Sequence, residues 1–138
     1  MNSTEVLIKS KQRVKENGEV YTPSDTVSEM LSYVSEDFWI NNKTFLEPSC
    51  GNGNILIKIL EKKIAYGINI LEAIQTIYGV DILEDNVKES RIRMFKILIE
   101  NGLAQEDWGE AINILKRNIV HGNTLEKSIE EIFSEYHS

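Results

Sequence analysis

Short apolar runs that alternate with helical periodicity constrain the fold of this chain more than any other feature. The clearest is IYGVDI at 77–82, nearly continuous in apolar and β-branched residues. A strand covered on both faces has that composition, because neither face has to meet water. Shorter runs occur at 44–47 (TFLE) and 118–122 (NIVHG). Between the runs, apolar residues recur at helical spacing. Ile55, Leu56, Ile59, Leu60 and Ile64 form one inward stripe over 55–64, and Val87, Arg91, Met94, Phe95 and Leu98 form another. Gly102 stops the second of these helices, predicted over 84–101, and Asn69 caps a short helix over 69–76.

The chain ahead of the first strand reads as helical. A polar helix is expected over 3–16, stopped near Gly18. A second follows Thr22-Pro23, with Ser24 and Asp25 as natural initiators. Its Val27, Met30, Leu31 and Val34 fall on one stripe. The segment around Trp108 is irregular or helical, and the tail TLEKSIEEIFSEYHS is amphipathic through Leu125, Ile129, Ile132, Phe133 and Tyr136. This order predicts an α/β fold: a partial Rossmann-like parallel sheet of about three strands, flanked by helices. Residues 1–138 are expected to form a single domain, with 1–43 as a helical N-terminal segment packed on it.

Bulk properties exclude several classes. With 41% hydrophobic residues and no repeat or low-complexity run, the chain is globular rather than disordered. A net charge of −7 argues against a stand-alone nucleic-acid binder, which needs a basic face to neutralise phosphates. The basic clusters Lys9, Lys11, Arg13, Lys15 and Arg91, Arg93, Lys96 read as solvated helix faces. No apolar stretch suits a membrane span or a signal peptide. The single cysteine, Cys50, excludes an internal disulfide and fits a reducing, cytoplasmic setting. His121 and His137 form no metal set with it.

Parallel sheets bind ligands beyond the carboxyl ends of their strands. The three predicted strands end in Glu47, Asp81 and Gly122-Asn123. The first leads into FLEPSCGNGNIL, where Gly51 and Gly53 let backbone N–H groups approach a ligand at a helix N-terminus. A plain strand-to-helix turn uses the same glycines. The dinucleotide fingerprint is incomplete, since Leu56 occupies its third glycine position, and no Lys-Ser/Thr pair completes a phosphate loop. Asp81 suits both hydroxyls of a ribose, or else a helix cap; Ile82 suits the face of a base. Asn123 suits an adenine amino group, or else a turn. Glu47 opposite a helix N-terminus suits a zwitterionic amino acid. A nucleoside joined to an amino acid describes S-adenosylmethionine better than a nicotinamide cofactor.

At these residues the chain resembles the N-terminal part of N6-adenine DNA methyltransferases of the restriction-modification type. GEVYTP, FLEPSCGNGNIL, IYGVDI and IVHGNTL are similar to the family's motifs and stand in its order. The resemblance implies a class I methyltransferase fold that binds S-adenosylmethionine. It places Thr22 at the methionine end, Tyr21 in the pocket wall, and Pro23 beside them. Glu47, Pro48, Ser49, Cys50, Gly51 and Gly53 form the glycine-rich motif, Asp81 meets the ribose hydroxyls, Ile82 lies against adenine, and Asn123 meets the adenine edge.

One motif has no counterpart. The family's catalytic tetrapeptide, Asn/Asp-Pro-Pro-aromatic, belongs on a fourth strand, yet the two prolines here are Pro23 and Pro48. No catalytic or metal residue is assigned, and Cys50 reads as a small packed residue. The expectation is a split or truncated enzyme, inactive alone, whose first strand is an uncovered edge. A protein partner or a second copy would pair there, and DNA would be met only through that partner. A non-catalytic decoy acting on a methyltransferase or restriction system is the alternative; an oxidoreductase fragment is disfavoured by the missing glycine.

Overall fold

The computed structural model describes residues 23–137. The predicted helix over 3–16, together with Tyr21 and Thr22, lies outside these. Helix α1 (Ser24–Leu31) begins after Pro23, whose extended backbone (φ −60°, ψ 149°) turns the chain into the helix. Val27 and Leu31 are buried and Val34 is half-buried, but Met30 is 53% exposed. The predicted stripe is therefore narrower: the buried face runs through Val27 and Leu31, and Met30 lies on its flank. A further short helix, α2 (Glu36–Ile40), buries Trp39 completely; sequence periodicity did not mark it.

Strand β1 (Phe45–Glu47) runs through a glycine loop into α3 (Asn54–Ala65). Helix α4 (Ile70–Gln75) is capped as expected, with Asn69 Oδ1 accepting from the N–H groups of Leu71 and Glu72 at 3.0 and 3.3 Å. Strand β2 (Ile77–Asp81) and helix α5 (Glu84–Glu100) follow, with Glu84 and Asp85 favourably placed in the first turn. The segment around Trp108 is a full helix, α6 (Trp108–Asn118), which feeds directly into β3 (Ile119–His121). Helix α7 (Ile129–His137) starts after Ser128, whose hydroxyl accepts from Glu131 N–H at 3.2 Å. Leu125 precedes the helix and is 94% exposed, so it does not share the tail's apolar stripe. No helix among the described residues is long and apolar enough to cross a membrane.

The sheet is parallel in the order β1-β2-β3. Register pairs Phe45 with Ile77 and Glu47 with Gly79, then Gly79 with Ile119 and Asp81 with His121. Alternation along the strands separates the two faces. Ile77 and Ile119 join the main core with Leu56, Ile59, Leu60, Met94, Leu98 and Ile114. Val80 and Val120 pack instead against Ile132 of α7. This burial explains why β2 reads as a continuous apolar run. Within the described sheet β1 pairs only with β2 and forms an edge.

Lys63 stands at the end of the sheet away from the strand tips, with no exposed surface. Its Nζ donates to Asn42 Oδ1 (2.7 Å), the Lys43 carbonyl (2.6 Å) and Thr76 Oγ1 (3.0 Å), with the Phe38 ring 5.1 Å away. These bonds tie the turn before β1 to the junction before β2. Burial pushes the ammonium down to about 8 from its usual 10.5. Between those values the unfolded chain holds a proton that the folded chain has released, so stability attributable to Lys63 should rise with pH across that window. At about 1.4 kcal/mol per pKa unit the rise is about 3 kcal/mol. Urea unfolding of the wild type and Lys63→Met at about pH 7.5 and at about pH 10.5 would measure it: the gap between the two proteins should move in favour of the wild type as pH rises. A constant gap would contradict it.

Candidate functional site

The loop from Pro48 to Gly53 lies across the carboxyl ends of the strands, held by bonds to residues far away in sequence. Cys50 N–H donates to the Val80 carbonyl at 2.8 Å, which continues the β1–β2 alignment beyond the strand. Gly51 N–H donates to Asp81 Oδ1 at 3.0 Å. On the other side of Asp81, Gly122 N–H donates to its backbone carbonyl at 3.0 Å, and His121 Nε2 meets the Ile82 carbonyl at 2.9 Å. The three strand tips thus form one connected ledge centred on Asp81.

Asp81 is only 4% exposed. Besides Gly51, it accepts through Oδ2 from Leu83 N–H (3.0 Å) and from Asn86 Nδ2 (3.1 Å). A carboxylate offers about four acceptor positions. Three are engaged by described residues, and the fourth, on Oδ1, has no donor among them. The carboxylate therefore holds the turn into α5, close to the helix-cap role that the sequence posed as the alternative to ribose binding, and it also anchors the glycine loop, which the sequence did not indicate.

Gly51 (φ 57°) and Gly53 (φ 95°) both adopt the left-handed region. A Cβ on Gly53 would stand 2.9 Å from Ser90 Oγ, so the loop rests directly on α5. Ser90 Oγ in turn donates to the Gly51 carbonyl at 3.1 Å. Arg93 Nη1 donates to the Asn52 carbonyl (2.9 Å) and to Asn54 Oδ1 (2.8 Å). Asn86, Ser90 and Arg93 recur at one helical face, a polar stripe that clamps the loop. Sequence reasoning missed it; the only signal was buried-side spacing by residues that are usually exposed. Arg91 likewise donates to the Ile119 and Lys116 carbonyls at 2.8 and 3.2 Å. The expected solvated face at Arg91 and Arg93 is thus corrected: both guanidiniums are half-buried and donate to backbone carbonyls, and burial lowers both from their ordinary values. Lys96 alone of that cluster is exposed.

The remaining candidates divide. Glu47, half-buried, accepts from Ser49 N–H at 3.0 Å through Oε1. Pro48 and Ser49 are exposed on the loop, and Pro23 is exposed at the start of α1. Ile82 is 49% exposed beside Asp81. Asn123 Oδ1 accepts from Leu125 N–H at 3.0 Å, and the Asn123 carbonyl accepts from Glu126 and Lys127, so this residue builds a turn after β3. Cys50 is buried, and its thiol is pushed up to about 12, first by burial and then by the charge of Asp81. It is a packed thiol at neutral pH.

Two acceptors of the ledge have no donor among the described residues: the fourth position on Asp81 and the Asn52 Oδ1 atom, which is buried in the loop. Helix α3 follows Gly53 with no side-chain cap and no acidic residue in its first turn, and a helix N-terminus of that kind favours an anion.

Comparison with curated proteins and with solved structures gave no match. The sequence model of the N-6 DNA methylase family matches residues 5–135, nearly the whole chain and every element of the ledge. With strand order, glycine loop and Asp81 arranged as described, the chain belongs to the N-6 DNA methylase family.

Proposed function

We propose that this chain is the S-adenosylmethionine-binding portion of a DNA adenine-N6 methyltransferase, and that it acts with a partner supplying the catalytic strand. The observation that carries this reading is the bond from Gly51 to Asp81, which fixes the glycine loop of β1 against the tip of β2. Bound there, the cofactor would supply a methyl group already activated for transfer. Asp81 would take a ribose hydroxyl, Ile82 would lie against the base, and Glu47 would face the ammonium group. Asn123 would meet the adenine edge once its turn admits the ligand, and Tyr21 and Thr22 would close the methionine end.

The need for a partner is supported by the edge position of β1. Leu46 is 40% exposed there, although its register partner Tyr78 lies inside the sheet. Beside the edge a groove of about 400 Å³ is lined by Leu46, Tyr78, Ile129, Phe133 and His137. An unpaired strand next to apolar surface favours addition of another strand.

Titration calorimetry tests the cofactor half: S-adenosylmethionine and S-adenosylhomocysteine should bind, and NAD should not. Absence of binding by the first two would end the reading. For the partner half, DNA methylation should appear only on mixing with a polypeptide that carries Asn-Pro-Pro-aromatic. Cofactor binding without methyl transfer in every pairing would mark a decoy instead, and a lone monomer in light scattering at high concentration would count against self-pairing.

A further inference from the structure

A second apolar depression lies between α5 and α6, and it shares no residue with the ledge or with the groove beside β1. About 330 Å³ in volume, it has a floor of Ile92, Phe95, Ile112 and Leu115 and a rim of Arg91, Lys96 and Lys116. Ile92 and Ile112 remain 56% and 37% exposed, which is unusual for neighbouring isoleucines on two packed helices. The walls are fixed in place. Phe95 is held edge-on by Trp108 at 5.8 Å, and Arg91 staples α5 to the end of α6 through the Lys116 and Ile119 carbonyls.

The charge at this rim runs against that of the chain. The molecule carries −7, yet the lining holds three cations and no carboxylate. Lys96 and Lys116 are exposed and form no ion pair with another described residue. We infer that this groove docks an amphipathic helix of a different protein, one that seats aliphatic side chains on the floor and aims carboxylates at Lys96 and Lys116. Helix-in-groove recognition needs this combination of an apolar floor between two helices and complementary charges beside it.

A second copy of this chain is disfavoured, because a two-fold contact through this face would set Lys96 and Lys116 against themselves. The acidic helix α7 is also spoken for, since Ile132 is buried against Val80 and Val120. A nucleic acid is disfavoured too: a floor of aliphatic side chains offers nothing for bases to stack on, and so few cations grip little backbone.

Fluorescence polarisation with a synthetic helical peptide, leucines on one face and glutamates along both flanks, provides the test. The full chain should bind it, with affinity falling as salt rises. Lys96→Glu combined with Lys116→Glu should weaken binding by about tenfold or more. Both positions are exposed, so the double variant should keep the wild-type melting temperature and the same response to S-adenosylmethionine. Binding no better than a scrambled peptide, or binding indifferent to the charge reversal, would overturn the inference. Tighter capture of a labelled oligonucleotide than of the peptide would overturn it in favour of nucleic acid.

Discussion

Replacing Asp81 by asparagine should destabilise the protein by about 3 kcal/mol and abolish the proposed binding of S-adenosylmethionine. The buried carboxylate accepts from Gly51 and Leu83 N–H groups and from the Asn86 amide. An amide of the same shape has one oxygen, so its NH2 group must face a donor whichever way it turns. The loop loses its anchor or the turn into α5 loses its acceptor. A charge-assisted bond is worth about 1.5–3 kcal/mol and an unsatisfied buried N–H costs about 1–3 kcal/mol more, with partial relaxation between them. Urea unfolding measures the stability term and calorimetry the binding term. Combining Asp81→Asn with Asn86→Asp returns an acceptor to the pair and should recover part of the lost stability, as expected of residues in contact. Strict additivity of the two changes would show that the bond between them carries nothing.

Gly53→Ala should cost about 3 kcal/mol for a different reason. The backbone there has φ 95°, which costs an L-residue about 1–2 kcal/mol. The added Cβ would also lie 2.9 Å from Ser90 Oγ and 3.2 Å from Ser90 Cα. Ser90 cannot simply move aside, because it is fully buried and its hydroxyl is engaged with the Gly51 carbonyl. Overpacking of this kind costs about 1–3 kcal/mol. Gly67 separates the two contributions: its φ is 88°, yet a Cβ there would meet nothing within 4 Å. Gly67→Ala should therefore show the backbone cost alone. Equal losses for the two alanine variants would remove Ser90 from the account of how the loop is seated.

Much of this architecture was legible in the residues. The apolar run at 77–82 became the central strand, one residue shorter at Asp81. The stripe of Leu56, Ile59 and Leu60 became the buried face of α3. The Asn69 cap formed where its side chain could reach the next two N–H groups. Less legible was α6, although Ala111, Ile114, Leu115 and Asn118 are buried at helical spacing; Gly109 near its start disguised it. Leu125 and Met30 fit apolar stripes by spacing, yet both are exposed: Leu125 precedes α7, and Met30 lies on the flank of the face formed by Val27 and Leu31.

Local spacing determined most of the helices and strands, α2 and α6 apart, because periodicities of about 3.6 and 2 residues are properties of neighbouring positions. It also located the glycine loop and the strand-end carboxylates. What only the tertiary structure decided is which polar residues are drawn inside to hold them. Asp81 meets a glycine 30 residues away, Ser90 a carbonyl 39 away, and Arg93 another 41 away. Lys63 finds its three acceptors in the same long-range fashion. No periodicity encodes such partners: a polar side chain looks solvent-bound until folding places a buried carbonyl or N–H group opposite it, and the cost of leaving that group unpaired then keeps it there.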